Sequence, residues 1–217
     1  METISAPPAV SEDGQSGPDK RARILNAARA VFMAVGYANA SMDAITREAG
    51  VSKATVYAHF GSKAQLFGAM VAEECGRRLA PEAPGTVSAE TPEAGLLELG
   101  RRYVDLLFAE NSLALGRVVA AESARQPELA EAFYQAGPGP ALDAATRFFA
   151  EMSARGALAV PDPRVAAELF LGAIRSDIHL RRFIGLPFEG GEPDDAAIER
   201  RIKEAARVFV RAYQRRG

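Results

Sequence analysis

Residues 37–67 read YANASMDAITREAGVSKATVYAHFGSKAQLF, and the order of signals in this stretch decides the fold. Ser41 is a capping residue ahead of a helix over 42–49, and Asp43 lies in the first turn, where an acid complements the helix dipole. Gly50 stops that helix, and Ser52 caps a second one over 53–59. Gly61 then separates it from Ser62, which forms a capping box with Gln65 and opens a longer helix over 63–79. The connection Ala49-Gly50-Val51-Ser52 supplies a small packing residue, a turn glycine, an apolar residue and a cap. Two short helices joined in this way cross steeply, as in a helix-turn-helix. Met42, Ile45, Ala49, Val51, Val56 and Phe60 make the small core between them. Lys53, Ala54, Thr55, Tyr57 and His59 are left on outer positions. A helix of this length fits the major groove of B-DNA, with its first residues at base edges and its flanks on phosphates.

Upstream, Ile24, Ala28, Val31, Phe32 and Val35 recur at spacings of three and four, which predicts a helix over 19–36 ending at Gly36. Residues 1–18 are rich in Pro, Gly, Ser and acids without apolar period and read as a disordered tail. Charge separates along the same boundaries. The tail carries a net −3 from Glu2, Glu12 and Asp13. Residues 19–68 carry +4, from Lys20, Arg21, Arg23, Arg29, Arg47, Lys53 and Lys63 against Asp19, Asp43 and Glu48. The rest carries −3, so the overall −2 conceals one basic segment suited to a polyanion.

Downstream the chain also reads as helical. Thr91-Pro92 opens a helix to about 109, others run over 112–125 and from Pro127, and Gly137-Pro138-Gly139-Pro140 breaks the chain before 140–155. Helices over 163–184 and 193–214 follow, and Ala83-Pro84-Gly85-Thr86 marks a loop. No stretch alternates with period two, so an all-α fold without a sheet is expected. It comprises the tail, a helix-turn-helix domain over 19–68 with its motif at 41–60, and a helical domain over 69–217.

Several function classes fall away. The absence of a secretory h-region, of a long apolar run and of a second cysteine predicts a cytoplasmic protein without a membrane span. Cys75 reads as a small buried hydrophobe. Asp177 and His179 stand two apart on a helix and do not face each other. With two histidines in the chain, no multi-histidine metal site is expected. No nucleophile elbow, P-loop or dinucleotide fingerprint is present, so neither an enzyme nor a cofactor is expected.

The block Val51-Ser52-Lys53 through Val56-Tyr57, His59-Phe60, Ser62-Lys63 and Leu66-Phe67 resembles the DNA-binding signature of the tetracycline-repressor (TetR) family. Thr46 stands where that pattern commonly has alanine, and Ala54 where it has glycine. The resemblance implies that Ser41 and Thr46 touch phosphate or base edges, and that Lys53, Ala54 and Thr55 face bases from the helix capped by Ser52. It also implies that Tyr57, His59 and Lys63 contact phosphates. Tyr57 and His59 have the alternative of packing or capping, and the three serines are caps in any case. The resemblance further implies a homodimer on operator DNA and a small-molecule effector held between later helices, with Tyr103, Phe148 and Ile174 as pocket candidates among residues that also suit a plain helical core. Leu169, Ala173, Ile198, Ile202, Ala205, Phe209 and Tyr213 have the spacing of a dimer face or of an intrachain core. The expectation is a ligand-responsive dimeric repressor; the alternative is a helical small-molecule binding protein without DNA function.

Overall fold

A computed structural model of the chain describes residues 17–79 and 91–214. The rest of the expected tail and the loop at 83–86 lie outside the described residues. All regular structure among the described residues is helical. In order the helices are α1 (Gly17–Asn39), α2 (Met42–Ala49), α3 (Lys53–His59), α4 (Lys63–Leu79), α5 (Pro92–Leu107), α6 (Glu110–Glu122), α7 (Pro127–Ala136), α8 (Pro138–Ala154), α9 (Pro163–Ile184) and α10 (Asp195–Tyr213). The chain divides into two compact units, Met1–Lys63 and Ala64–Gly217. The first ends at Lys63, five residues before the end of the 19–68 domain expected from sequence.

Two boundaries differ from expectation for reasons of proline chemistry. Helix α1 begins at Gly17, because Pro18 has no N–H to lose in a first turn, where those donors are unpaired anyway. The Gly137–Pro140 stretch interrupts the chain at Gly137 alone, and α8 starts directly at Pro138 for the same reason.

In the first unit, α1 buries Ile24, Leu25, Ala28 and Phe32, while α2 and α3 bury Ile45, Ala49 and Val56. Gly36, at φ 75° and ψ 165°, breaks α1 in a backbone conformation that glycine reaches without strain. In the second unit, α5, α8, α9 and α10 share one core. Phe149 is its centre, with ring centroids 5.6 Å from Phe148, 6.2 Å from Phe170 and Phe209, and 6.1 Å from Tyr213. Helices α5 and α10 approach so closely at Gly100 that a Cβ there would lie 2.6 Å from Ile202 Cγ2.

This core takes in much of the expected dimer face. Ile202 and Ala205 are buried, and Ile198, Phe209 and Tyr213 pack against the cluster. One stripe of apolar residues on α10 has a single natural place, and the core occupies it. Leu169 stays 57% exposed, with Val165 and Val208 also exposed. Ala173 lines a shallow groove with Ala197, Ala205, Val208 and Phe209.

Candidate nucleic-acid interface

The motif is built by local caps and two long cationic side chains. Ser41 Oγ accepts from the Ala44 N–H at 3.1 Å, and Ser52 Oγ accepts from the Thr55 N–H at 3.1 Å, so each serine fixes the start of its helix. Gly50 ends α2 in the left-handed region at φ 61°, ψ 37°, and its N–H donates to the Arg47 carbonyl. Arg23, on α1, donates from one guanidinium nitrogen to the carbonyls of Ala49 at 2.9 Å and Gly50 at 3.1 Å. Those carbonyls end α2 and lack helical partners, so the charged donor both satisfies them and complements the negative helix end. The turn between α2 and α3 is thereby tied to α1.

Val56 is the buried residue of α3. Lys53, Ala54, Tyr57 and His59 are exposed, Tyr57 by 44%. A seven-residue helix thus turns one side inward and presents a cation, a small residue, a phenol and an imidazole outward. Thr55 is half-buried, and its hydroxyl lies 2.8 Å from the Ser52 hydroxyl, within the cap. Lys53 Nζ is 2.8 Å from Asp43 Oδ1 on α2, an exposed pair, and that carboxylate raises the lysine pKa. Such a pair is weak and screened by salt, so its ammonium can exchange Asp43 for a phosphate. The Lys53 ammonium also stands 5.9 Å from the centroid of the Tyr57 ring. The Thr46 hydroxyl donates to the Met42 carbonyl at 2.7 Å and is turned into its own helix.

Lys63 departs from expectation. Its ammonium donates to the carbonyls of Tyr37 at 2.7 Å, Ala40 at 3.0 Å and Ala38 at 3.4 Å, and lies 4.3 Å from the Tyr37 ring centroid. Three N–H groups meet three carbonyls, so the ammonium is occupied within the unit. It holds the segment between α1 and α2 where Ser41 must cap. Arg23 and the buried Tyr37 were missed from sequence. Their partners lie more than twenty residues away, and neither carries a local signal of that reach.

The second unit encloses a cavity of about 480 Å³. Of the three pocket candidates, Tyr103 is among its lining residues. Phe148 and Ile174 are not: both are packed into the aromatic core, which has the same apolar spacing as a pocket wall. The wall also includes Cys75, Phe133, Phe183, Arg175 and His179. Burial, with Arg175 nearby, pulls the His179 pKa down to about 4, so the imidazole is neutral near pH 7. Burial, with Glu74 beside it, pushes the Cys75 thiol up to about 11, which suits an inert buried residue. Asp177 bonds Arg181 at 2.7 Å and is not among the lining residues. Among the described residues, no group of three or more His, Cys, Asp or Glu could hold a metal ion, and no helix is long and apolar enough to cross a membrane.

Residues 24–70 match the family model of bacterial regulatory proteins of the tetR family, and residues 94–215 match that of the AefR-like transcriptional repressor C-terminal domain. The UidR transcriptional regulator of Escherichia coli K12 is 45% identical over 60 residues, covering 28% of this chain and 31% of that protein. The chain thus spans about a third of the length of this curated relative. Among solved structures, the flavonoid-responsive regulator FrrA is 34% identical, with 93% of this chain and 100% of that chain covered and a TM-score of 0.77. A TetR-family regulator from Mesorhizobium loti is 30% identical, with 92% and 98% covered and a TM-score of 0.75.

Proposed function

The chain belongs to the TetR family of bacterial regulatory proteins, and from that premise we propose that it is a dimeric repressor that releases operator DNA when a small molecule fills the cavity. The observation that carries the DNA half is α3. Its inner side is anchored by Val56, Arg23 ties the turn that precedes it, and Lys53, Ala54, Tyr57 and His59 stand exposed on its outer side. Lys53, Ala54 and Thr55, at the start of the helix, read bases. Tyr57 and His59 hold phosphates, and Ser41 and Ser52 act through the caps. Thr46 contributes chiefly by fixing α2, since its hydroxyl is engaged there.

One reading head per chain calls for two copies on a two-part site, with half-sites about 34–36 Å or a multiple apart. Exposed Val165, Leu169 and Val208, with Ala173 beside them, support α9 and α10 as the joining surface. Gly172 has nothing within 4 Å of its Cβ position, leaving room for a close helix approach.

The cavity supports the effector half. Helix α4 starts at Lys63 and contributes Val71, Glu74 and Cys75 to the wall. The likeness to a flavonoid-responsive regulator makes flavonoids the first compounds to try. A ligand lowers operator affinity only by its differential affinity for the two states, and operator weakens ligand binding by the same factor. Selection from a random duplex pool, then anisotropy at rising salt, tests the reading. A repressor gives one enriched two-part site and a log–log salt slope of several units. A folded protein that enriches no duplex overturns it and leaves the binding-protein alternative.

A further inference from the structure

The cavity has a feature that an apolar lining does not require. Ser112 Oγ on α6 and Ser176 Oγ on α9 are closed off from solvent and have no hydrogen-bond partner in the protein, and both residues line the cavity. A hydroxyl within a helix commonly bonds the carbonyl one turn back, as Thr146 does to Leu142 at 2.8 Å. Leaving a buried hydroxyl unmatched is costly, and two at one wall need an account.

Ser176 carries a second cost. At φ 45° and ψ −173° it breaks α9, and among the described residues no other non-glycine has a positive φ. Side-chain-bearing residues held in such conformations are strained and persist where the surroundings impose them, often at ligand sites. Its neighbours Arg175 and His179 face the same cavity.

We propose that the cavity binds a neutral, ring-containing small molecule bearing a hydroxyl or phenol group, and that Ser112 and Ser176 are its specificity-determining hydrogen-bond partners. This rests on the cavity being the effector site. The cavity volume of about 480 Å³ suits such a molecule. Tyr103, Phe133 and Phe183 offer aromatic surface, with the His179 ring stacked 5.7 Å from Phe183. The wall carries one charge of each sign, Arg175 and the buried Glu74, so it holds no net charge for a charged ligand to neutralise. A serine hydroxyl donates and accepts, which matches another hydroxyl, and it moves between staggered positions by rotation about its Cα–Cβ bond. A site with polar groups waiting rejects the analogue that lacks the hydroxyl. At Ser176 the ligand's hydrogen bond falls on the residue that breaks α9, so occupancy acts directly on that break.

The test uses 2-naphthol and 2-methylnaphthalene, which share a shape and exchange hydroxyl for methyl. The chain has no tryptophan, so naphthol fluorescence is read without interference. Binding and melting temperature are measured for the full-length wild type, Ser112→Ala, Ser176→Ala and the double variant. The wild type is expected to favour naphthol by about tenfold, and the double variant to lose that preference. Without ligand, the alanine variants melt no lower than wild type, since no bond is lost, and Ser176→Gly melts higher. A preference kept in the double variant, or a lower melting temperature in either alanine variant, overturns the assignment. If both probes bind all four proteins with equal affinity, the serines fail and the cavity reading stands. If neither probe binds any of them, the cavity reading fails as well.

Discussion

The two units differ in what their polar side chains do. In the first, Arg23 and Lys63 carry charged donors to five backbone carbonyls, and the segments around the reading helix are fixed by them. In the second, the core is aromatic, and two hydroxyls at the cavity beside it have no partner in the protein. A surface that reads DNA gains from having its own hydrogen bonds complete, because its outer side chains then meet the duplex already oriented. A cavity that senses a ligand gains from having some left incomplete, because the ligand completes them.

The contrast breaks most visibly at the centre of each unit. Phe149→Ala removes a ring that touches four others and is expected to cost about 3–5 kcal/mol by urea unfolding, with the cavity distorted. Lys63→Met leaves the carbonyls of Tyr37, Ala38 and Ala40 without their charged donor and is expected to cost about 2 kcal/mol. Once the protein is folded, the salt slope of DNA binding stays at the wild-type value. A slope lower by about one unit with stability intact would return Lys63 to the phosphates. Gly100→Ala drives a methyl against Ile202 and is expected to cost about 1–3 kcal/mol, with DNA affinity retained in the folded fraction.

Smaller effects sharpen the same comparison. Lys53→Ala frees Asp43 from its exposed pair, leaves stability nearly unchanged and relaxes sequence preference at the base it reads, at a cost of about 1–3 kcal/mol in binding. His179 reports on the cavity through pH. Its folded pKa of about 4 lies below the ordinary 6.5, so between those values the unfolded chain binds a proton that the folded one does not. Stability therefore falls as pH drops from 6.5 towards 4 and is unaffected by this group above 6.5. His179→Gln is expected to remove that part of the acid sensitivity, read as melting temperature against pH.

How much was legible in the sequence follows from how local the physics is. The starts and stops of α2 and α3 were readable because Ser41, Gly50 and Ser52 each act within three residues of themselves. The ties from Arg23 and Lys63 were not, because a long side chain shows its charge in sequence and not its destination. The cavity was harder still. Its wall draws on six helices, and Tyr103 shares its apolar spacing with Phe148 and Ile174, which the core took. The spacing of Ile198, Ile202, Ala205, Phe209 and Tyr213 suited an interface and a core alike, and packing against α5, α8 and α9 decided it. Ser176 gave no warning, since a positive φ is ordinarily announced by glycine.

We infer that the exposed side of α3 reads DNA from a frame tied by Arg23. It is tested most directly by titrating the selected duplex with wild type and Tyr57→Ala under identical salt. Tyr57 is exposed, so its removal leaves the fold intact. Affinity is expected to fall by about tenfold on the selected and on unrelated duplexes alike, with an unchanged melting temperature. Equal affinity of the two proteins for every duplex, or a loss of affinity matched by a loss of folding, would contradict it.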